Sequence, residues 1–178
     1  MKNEPFKGMN SESTEFSSRQ AAQWATISFV LFFTMFASFS LKDKLDGINF
    51  IIAYAGVGSH LALLPLIAVL RSPSWAKIGG YTWVMVDTIL FVAALNGVAD
   101  ETIFPCRLGL HVAAATWPLG VALTNTKALR WAGFALAAAL GIVPLLGSLV
   151  PPQAIFITMP FIFIWLGVIS WTLRKNPI

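Results

Sequence analysis

Six stretches of the chain are long and apolar enough to cross a hydrocarbon core, which takes about 20 mostly apolar residues in a helix. They run over residues 21–41, 48–70, 78–98, 108–123, 131–150 and 154–173. The third is interrupted by Asp87. The fourth is short for a span and reaches full length only by starting near Phe104 or running on to Thr126. No charge separates the last two. Their break is Pro151-Pro152-Gln153, where two prolines remove two backbone donors and favour a tight turn. Every connection is short, so consecutive spans are expected as antiparallel neighbours. The predicted fold is all-α: a polytopic membrane bundle of six transmembrane helices over residues 21–173. Residues 1–20 form a disordered polar tail and residues 174–178 a short C-terminal segment.

Composition supports this pattern. Hydrophobic residues make up 57% of the 178 and charged residues only 11%, against about 25% charged in a soluble domain. The net charge of +4 is spread between the apolar runs rather than gathered in a block, which excludes a nucleic-acid surface. The one cysteine, Cys106, excludes an internal disulfide framework and a cysteine-based metal cluster. The first apolar run is too long for a signal-peptide core and its leader too acidic, so it is expected to remain as a span.

Lysine and arginine positions set an orientation. With the N-terminus inside, the cytoplasmic segments hold Lys2, Lys7, Arg19, Arg71, Lys77, Lys127, Arg130, Arg174 and Lys175, and the outer loops hold Lys42, Lys44 and Arg107. Both termini are therefore predicted to be cytoplasmic. Trp24, Trp75, Trp131 and Trp171 fall near the same cytoplasmic interface, where amphipathic rings anchor.

Gly133, Ala137 and Gly141 share one helix face and permit a close approach. Packing inside the bundle is expected, with a dimer face as the other use. Pro65, Pro118, Pro144 and Pro160 lie within spans, and each frees a carbonyl. Broken helices of transporters use such groups to bind substrate.

Asp87 reads as the one charged side chain at membrane depth. An ionised carboxylate there costs about 2.5–3.5 kcal/mol on insertion scales, so it needs a partner or an interior position. His60 is the expected partner. It lies ten residues before the turn at 70–78 and Asp87 nine after it, so both sit about 14–15 Å from that end at 1.5 Å per residue. Such a pair can relay protons, hold an ion or simply pin a hairpin. Tyr54 and Asn96 are candidates to extend a polar path. No cofactor is expected. The alternative is a single b-type haem between His60 and His111, the only two histidines. No phosphate-binding glycine loop, zinc-protease helix, nucleophile elbow or repeated arginine pattern is present.

In its C-terminal third the chain resembles small six-span bacterial integral membrane proteins of a domain-of-unknown-function family. The residues that carry this are Arg130-Trp131-Ala132-Gly133, Leu145-Leu146-Gly147 and the stretch from Trp165 to Arg174. The resemblance implies a bacterial inner membrane and supplies no activity. The expected role is a multi-pass membrane protein that binds or moves a small solute or a proton, with no enzymatic activity expected. A haem redox protein and a scaffold or assembly subunit are the alternatives. The expected partners are the lipid bilayer and a second copy or another membrane protein, with no nucleic acid.

Overall fold

A computed structural model describes residues 18–42, 44–146 and 156–175. The described residues form seven α-helices: α1 (Ser18–Phe39), α2 (Ile48–Leu61), α3 (Leu64–Val69), α4 (Ser74–Leu95), α5 (Asp100–Thr124), α6 (Lys127–Leu146) and α7 (Met159–Lys175). Six segments are long and apolar enough to cross a membrane, α2 and α3 together making the second, Ile48–Val69. The tail up to residue 17, the Pro151-Pro152-Gln153 turn and residues 176–178 lie outside the described residues.

The helices close into a ring. α1 packs on α2 and α7, α2 on α4, α4 on α5, α5 on α6, and α6 on α7. Four polar contacts mark the up-and-down order. At one end Lys42 Nζ, after α1, pairs with Asp100 at the start of α5 (3.4 Å). At the opposite end Thr124 and Asn125, closing α5, donate to the Arg71 carbonyl before α4. There too Arg174 of α7 donates to Thr26 Oγ1 of α1.

Helix limits differ from the predicted spans where polar residues continue a helix beyond its apolar run. Ser18, Arg19 and Gln20 are the first turn of α1 rather than tail. Arg174 and Lys175 end α7, where cations suit the helix C-terminus. Pro160 is the second residue of α7 rather than internal. α5 starts eight residues ahead of the predicted 108, with Asp100 and Glu101 in its first turn, where negative charge suits the helix N-terminus. Arg107 therefore lies inside a helix and not in an outer loop.

Two sequence features shape the turns near Asp87. Pro65 has no N–H for the Leu61 carbonyl, and the second span breaks there. Leu63 N–H donates instead to the His60 carbonyl (2.9 Å). After α4, Gly97 adopts φ +82°, Val98 N–H returns to Ala93 O and Gly97 N–H to Ala94 O, each at 3.1 Å. That is a Schellman closure, which needs a left-handed residue. It turns the chain into α5 within four residues.

The end of the ring bearing 70–73 and 125–126 is densely filled. Trp117 and Trp165 meet edge to face at 6.1 Å, with Leu66, Ile67 and Ile169 fully buried. Trp24, Trp75, Trp131 and Trp171 are exposed around this end. Large apolar side chains such as Phe33, Ile78, Ile89 and Leu145 face outward along the helices, a surface suited to lipid rather than water.

Gly133 packs inside the ring. A Cβ there would stand 2.6 Å from the Pro118 carbonyl oxygen and 2.9 Å from Ala122 Cβ. Gly141 has only Ala115 Cβ within reach, at 3.9 Å. Gly133→Ala is therefore expected to lower the thermal unfolding midpoint in detergent. Overpacking costs about 1–3 kcal/mol, against roughly 1 kcal/mol gained in helix propensity. Gly141→Ala is expected to hold or raise the midpoint, and equal behaviour of the two variants would contradict the close α5–α6 contact.

Candidate functional site

Asp87 on α4 is 3% exposed and joins two other helices. Its Oδ2 lies 2.9 Å from His60 Nε2 of α2. Its Oδ1 accepts from Arg107 Nε of α5 at 2.6 Å. The His60 contact is the one the sequence led us to expect. The Arg107 contact is not, and it sets a second charged side chain beside Asp87. Eight residues separate Asp87 from the end of α4 and seven separate Arg107 from the start of α5. At 1.5 Å per residue both sit about 10–12 Å in from the same turn, which lets the pair form across one hairpin.

The hydrogen bonds of His60 fix where its protons can be. Nδ1 lies 2.8 Å from the Gly56 carbonyl oxygen. A carbonyl oxygen only accepts, so Nδ1 carries the hydrogen. If the ring is neutral, Nε2 is then bare and the proton of the 2.9 Å contact belongs to Asp87. If the ring is charged, Nε2 donates to a carboxylate. In either case one proton is shared between Nε2 and Oδ2. The guanidinium of Arg107 stays charged.

Aromatic rings wall this cluster. The His60 ring is edge-on to Trp83 at 5.2 Å and tilted against Phe32 at 5.1 Å and Phe91 at 5.6 Å. Arg107 lays its guanidinium over the Phe91 ring, 4.2 Å from its centroid, a favourable cation–π placement.

The cluster lies in a cavity of about 810 Å³. The cavity reaches the end of the ring that carries Lys42, Asp100 and Glu101, which stand at its mouth. Its remaining wall is mostly apolar and includes Met35, Phe39, Phe104, Phe156 and Ile162. Three side-chain nitrogens on lining residues are buried without a protein partner: Arg107 Nη2, Trp83 Nε1 and His111 Nδ1. Thr88 Oγ1, Trp117 Nε1 and Trp165 Nε1 are also without a partner and do not line it. Buried polar groups are nearly always satisfied, so the two donors on the cavity wall, Arg107 Nη2 and Trp83 Nε1, mark a place for acceptor groups.

The other candidates fall elsewhere. Tyr54 is 66% exposed on the outside of the ring. Asn96 is exposed and donates to Val92 O within its own helix (2.7 Å). Neither extends a polar path from Asp87. His111 lines the same cavity as His60. A haem held between them needs a free nitrogen on each ring, and both nitrogens of His60 are engaged by Gly56 and Asp87. The residues present do not fit that haem. Among the described residues no cluster of histidine, cysteine or acid could hold a metal ion.

Neither a family model, a curated protein nor a solved structure matches the chain, so the resemblance of its C-terminal third has no match to rest on.

Removing one partner of a buried pair leaves the other charge uncompensated. Asp87→Leu strands both Arg107 Nε and His60, and is expected to cost about 3–5 kcal/mol in detergent unfolding. Asp87→Asn keeps shape and one acceptor and is expected to cost clearly less. Adding Arg107→Leu to Asp87→Leu should recover part of the loss. Additive losses in the double variant would show that the two side chains do not depend on each other.

Proposed function

We propose that the protein is a multi-pass membrane protein that binds a small ligand in the cavity floored by His60, Asp87 and Arg107. The observation that carries this is the presence of three unpartnered buried nitrogens on side chains that line one cavity of about 810 Å³, a size and a mostly apolar lining typical of small-molecule sites. Binding is favoured over passage through the bundle. Toward the opposite end the interior is closed by large apolar side chains, among them Leu66, Ile67, Trp117 and Trp165, and the candidate relay residues Tyr54 and Asn96 lie outside the ring.

We further propose that both termini are cytoplasmic, that the cavity opens on the outer face, and that the host membrane is a bacterial inner membrane. Removing Arg107 from the outer loops leaves only Lys42 and Lys44 there, which strengthens the positive-inside asymmetry. The ring of exposed tryptophans at the filled end agrees with a cytoplasmic interface. The host membrane rests on the sequence resemblance alone.

Thiol labelling tests both readings in a Cys106→Ser background. A membrane-impermeant reagent added to intact cells is expected to label Lys44→Cys rapidly and the cavity-lining Phe104→Cys more slowly. Ser72→Cys and Thr126→Cys should react only after permeabilisation. Labelling of Ser72→Cys in intact cells would invert the topology. A silent Phe104→Cys beside a reactive Lys44→Cys would mean that the cavity does not open outward.

A further inference from the structure

We infer that the cavity selects an amphiphile with an anionic head, a carboxylate or a phosphate monoester, seated against Arg107 and Trp83. This deepens the ligand-binding reading and rests on it.

The inference starts from a charge count. Arg107 contributes +1. His60 and Asp87 share one proton between Nε2 and Oδ2 because Nδ1 is committed to the Gly56 carbonyl. Their sum is therefore zero, as an imidazolium with a carboxylate or as a neutral ring with a carboxylic acid. The cluster as a whole carries +1 in both forms. An interior charge that lacks a counter-charge is costly in a membrane bundle.

Among the described residues, the neighbouring groups do not supply the counter-charge. Asp100 is taken by Lys42. Glu101 is exposed at the mouth, six residues and about 9 Å of helix rise before Arg107. Among the described residues, only Asp87 forms an ion pair with Arg107 or His60. His111, buried and lining the cavity, adds no negative charge.

The donors left without partners suit the missing anion. Arg107 uses Nε for Asp87 and keeps Nη2 without a partner. Trp83 Nε1 is a donor and never an acceptor, and it too has none. A planar or tetrahedral oxyanion accepts several charge-assisted hydrogen bonds at once. The wall of Phe39, Met35, Phe104 and Ile162 then suits an apolar body running toward the mouth. A bare inorganic anion would leave that wall unused.

Equilibrium binding to the full chain in phosphatidylcholine nanodiscs tests this, with protein-free nanodiscs subtracted. Labelled dodecanoate is the probe. Dodecyl phosphate, methyl dodecanoate and acetate are the competitors. Saturable binding is expected, competed by dodecyl phosphate and not by methyl dodecanoate or acetate at equal concentration. The stronger of the two anionic probes identifies the head. Trp83→Phe keeps an aromatic side chain, smaller than the indole, and loses one donor, and should weaken binding roughly tenfold. Arg107→Lys keeps the charge and loses the fork, with a similar effect expected. Competition by methyl dodecanoate as strong as by unlabelled dodecanoate would overturn the anionic head while leaving the ligand cavity standing. Unchanged affinity in both Trp83→Phe and Arg107→Lys would overturn the placement of the head. Absence of saturable binding by dodecanoate and dodecyl phosphate, with Phe104→Cys still labelled from outside, would overturn the ligand class alone. The same absence with Phe104→Cys silent would remove the cavity reading as well.

Discussion

A carboxylate inside an apolar bundle must be neutralised by neighbours, and the arrangement around Asp87 shows how much of the ring that requirement organises. Its two oxygens reach helices on opposite sides of α4, His60 on α2 and Arg107 on α5. α4 is thereby keyed to both neighbours at one depth. Gly56 supports this in two ways. Its carbonyl accepts from His60 Nδ1 and from Ser59 Oγ. Its missing side chain leaves room for Phe91, since a Cβ there would fall 2.5 Å from the ring. Phe91 in turn carries the Arg107 guanidinium. A change at Gly56 would thus be felt at the ion pair through one intervening ring.

The two ends of the bundle use different physics. At the filled end, residues without side chains let helices approach closely. A Cβ on Gly80 would stand 3.0 Å from Trp117 Cβ, and Gly120 on α5 faces Ala76 of α4 so tightly that no Cβ would fit. Close packing at one end holds the ring together by dispersion and shape. The other end can then stay open around polar groups without the fold depending on its being filled.

The spans were legible because hydropathy is a long-range pattern that survives errors of a few residues. The cluster was legible only in part. Asp87 and His60 stood out as rare residue types at depth. Arg107 was assigned to a loop because hydropathy falls over residues 100–107, although those residues are helical. The shortness of the 108–123 run was the available clue, since extending it by one turn toward Phe104 already encloses Arg107. Tyr54 and Asn96 could have been set aside by helical phase. At about 100° per residue, Tyr54 is roughly 240° around the helix from His60, and Asn96 is roughly 180° from Asp87. The proton shared by His60 and Asp87 was not legible at all, because it depends on a backbone carbonyl meeting Nδ1.

Arginine at position 107 does three things that lysine could not do together. Its Nε–H meets Oδ1 of Asp87 at 2.6 Å, its flat face lies over Phe91, and its Nη2 is left without a protein acceptor beside the cavity. A lysine ammonium is a compact point charge with no face to stack and no rigid fork. It would satisfy the carboxylate by collapsing onto it and present nothing further. The guanidinium instead divides its hydrogen bonds, spending one on holding α4 to α5 and keeping another in reserve. The same side chain is therefore a structural pin and a binding group, and this is why the charged centre of the bundle sits at the cavity floor rather than within the closed core.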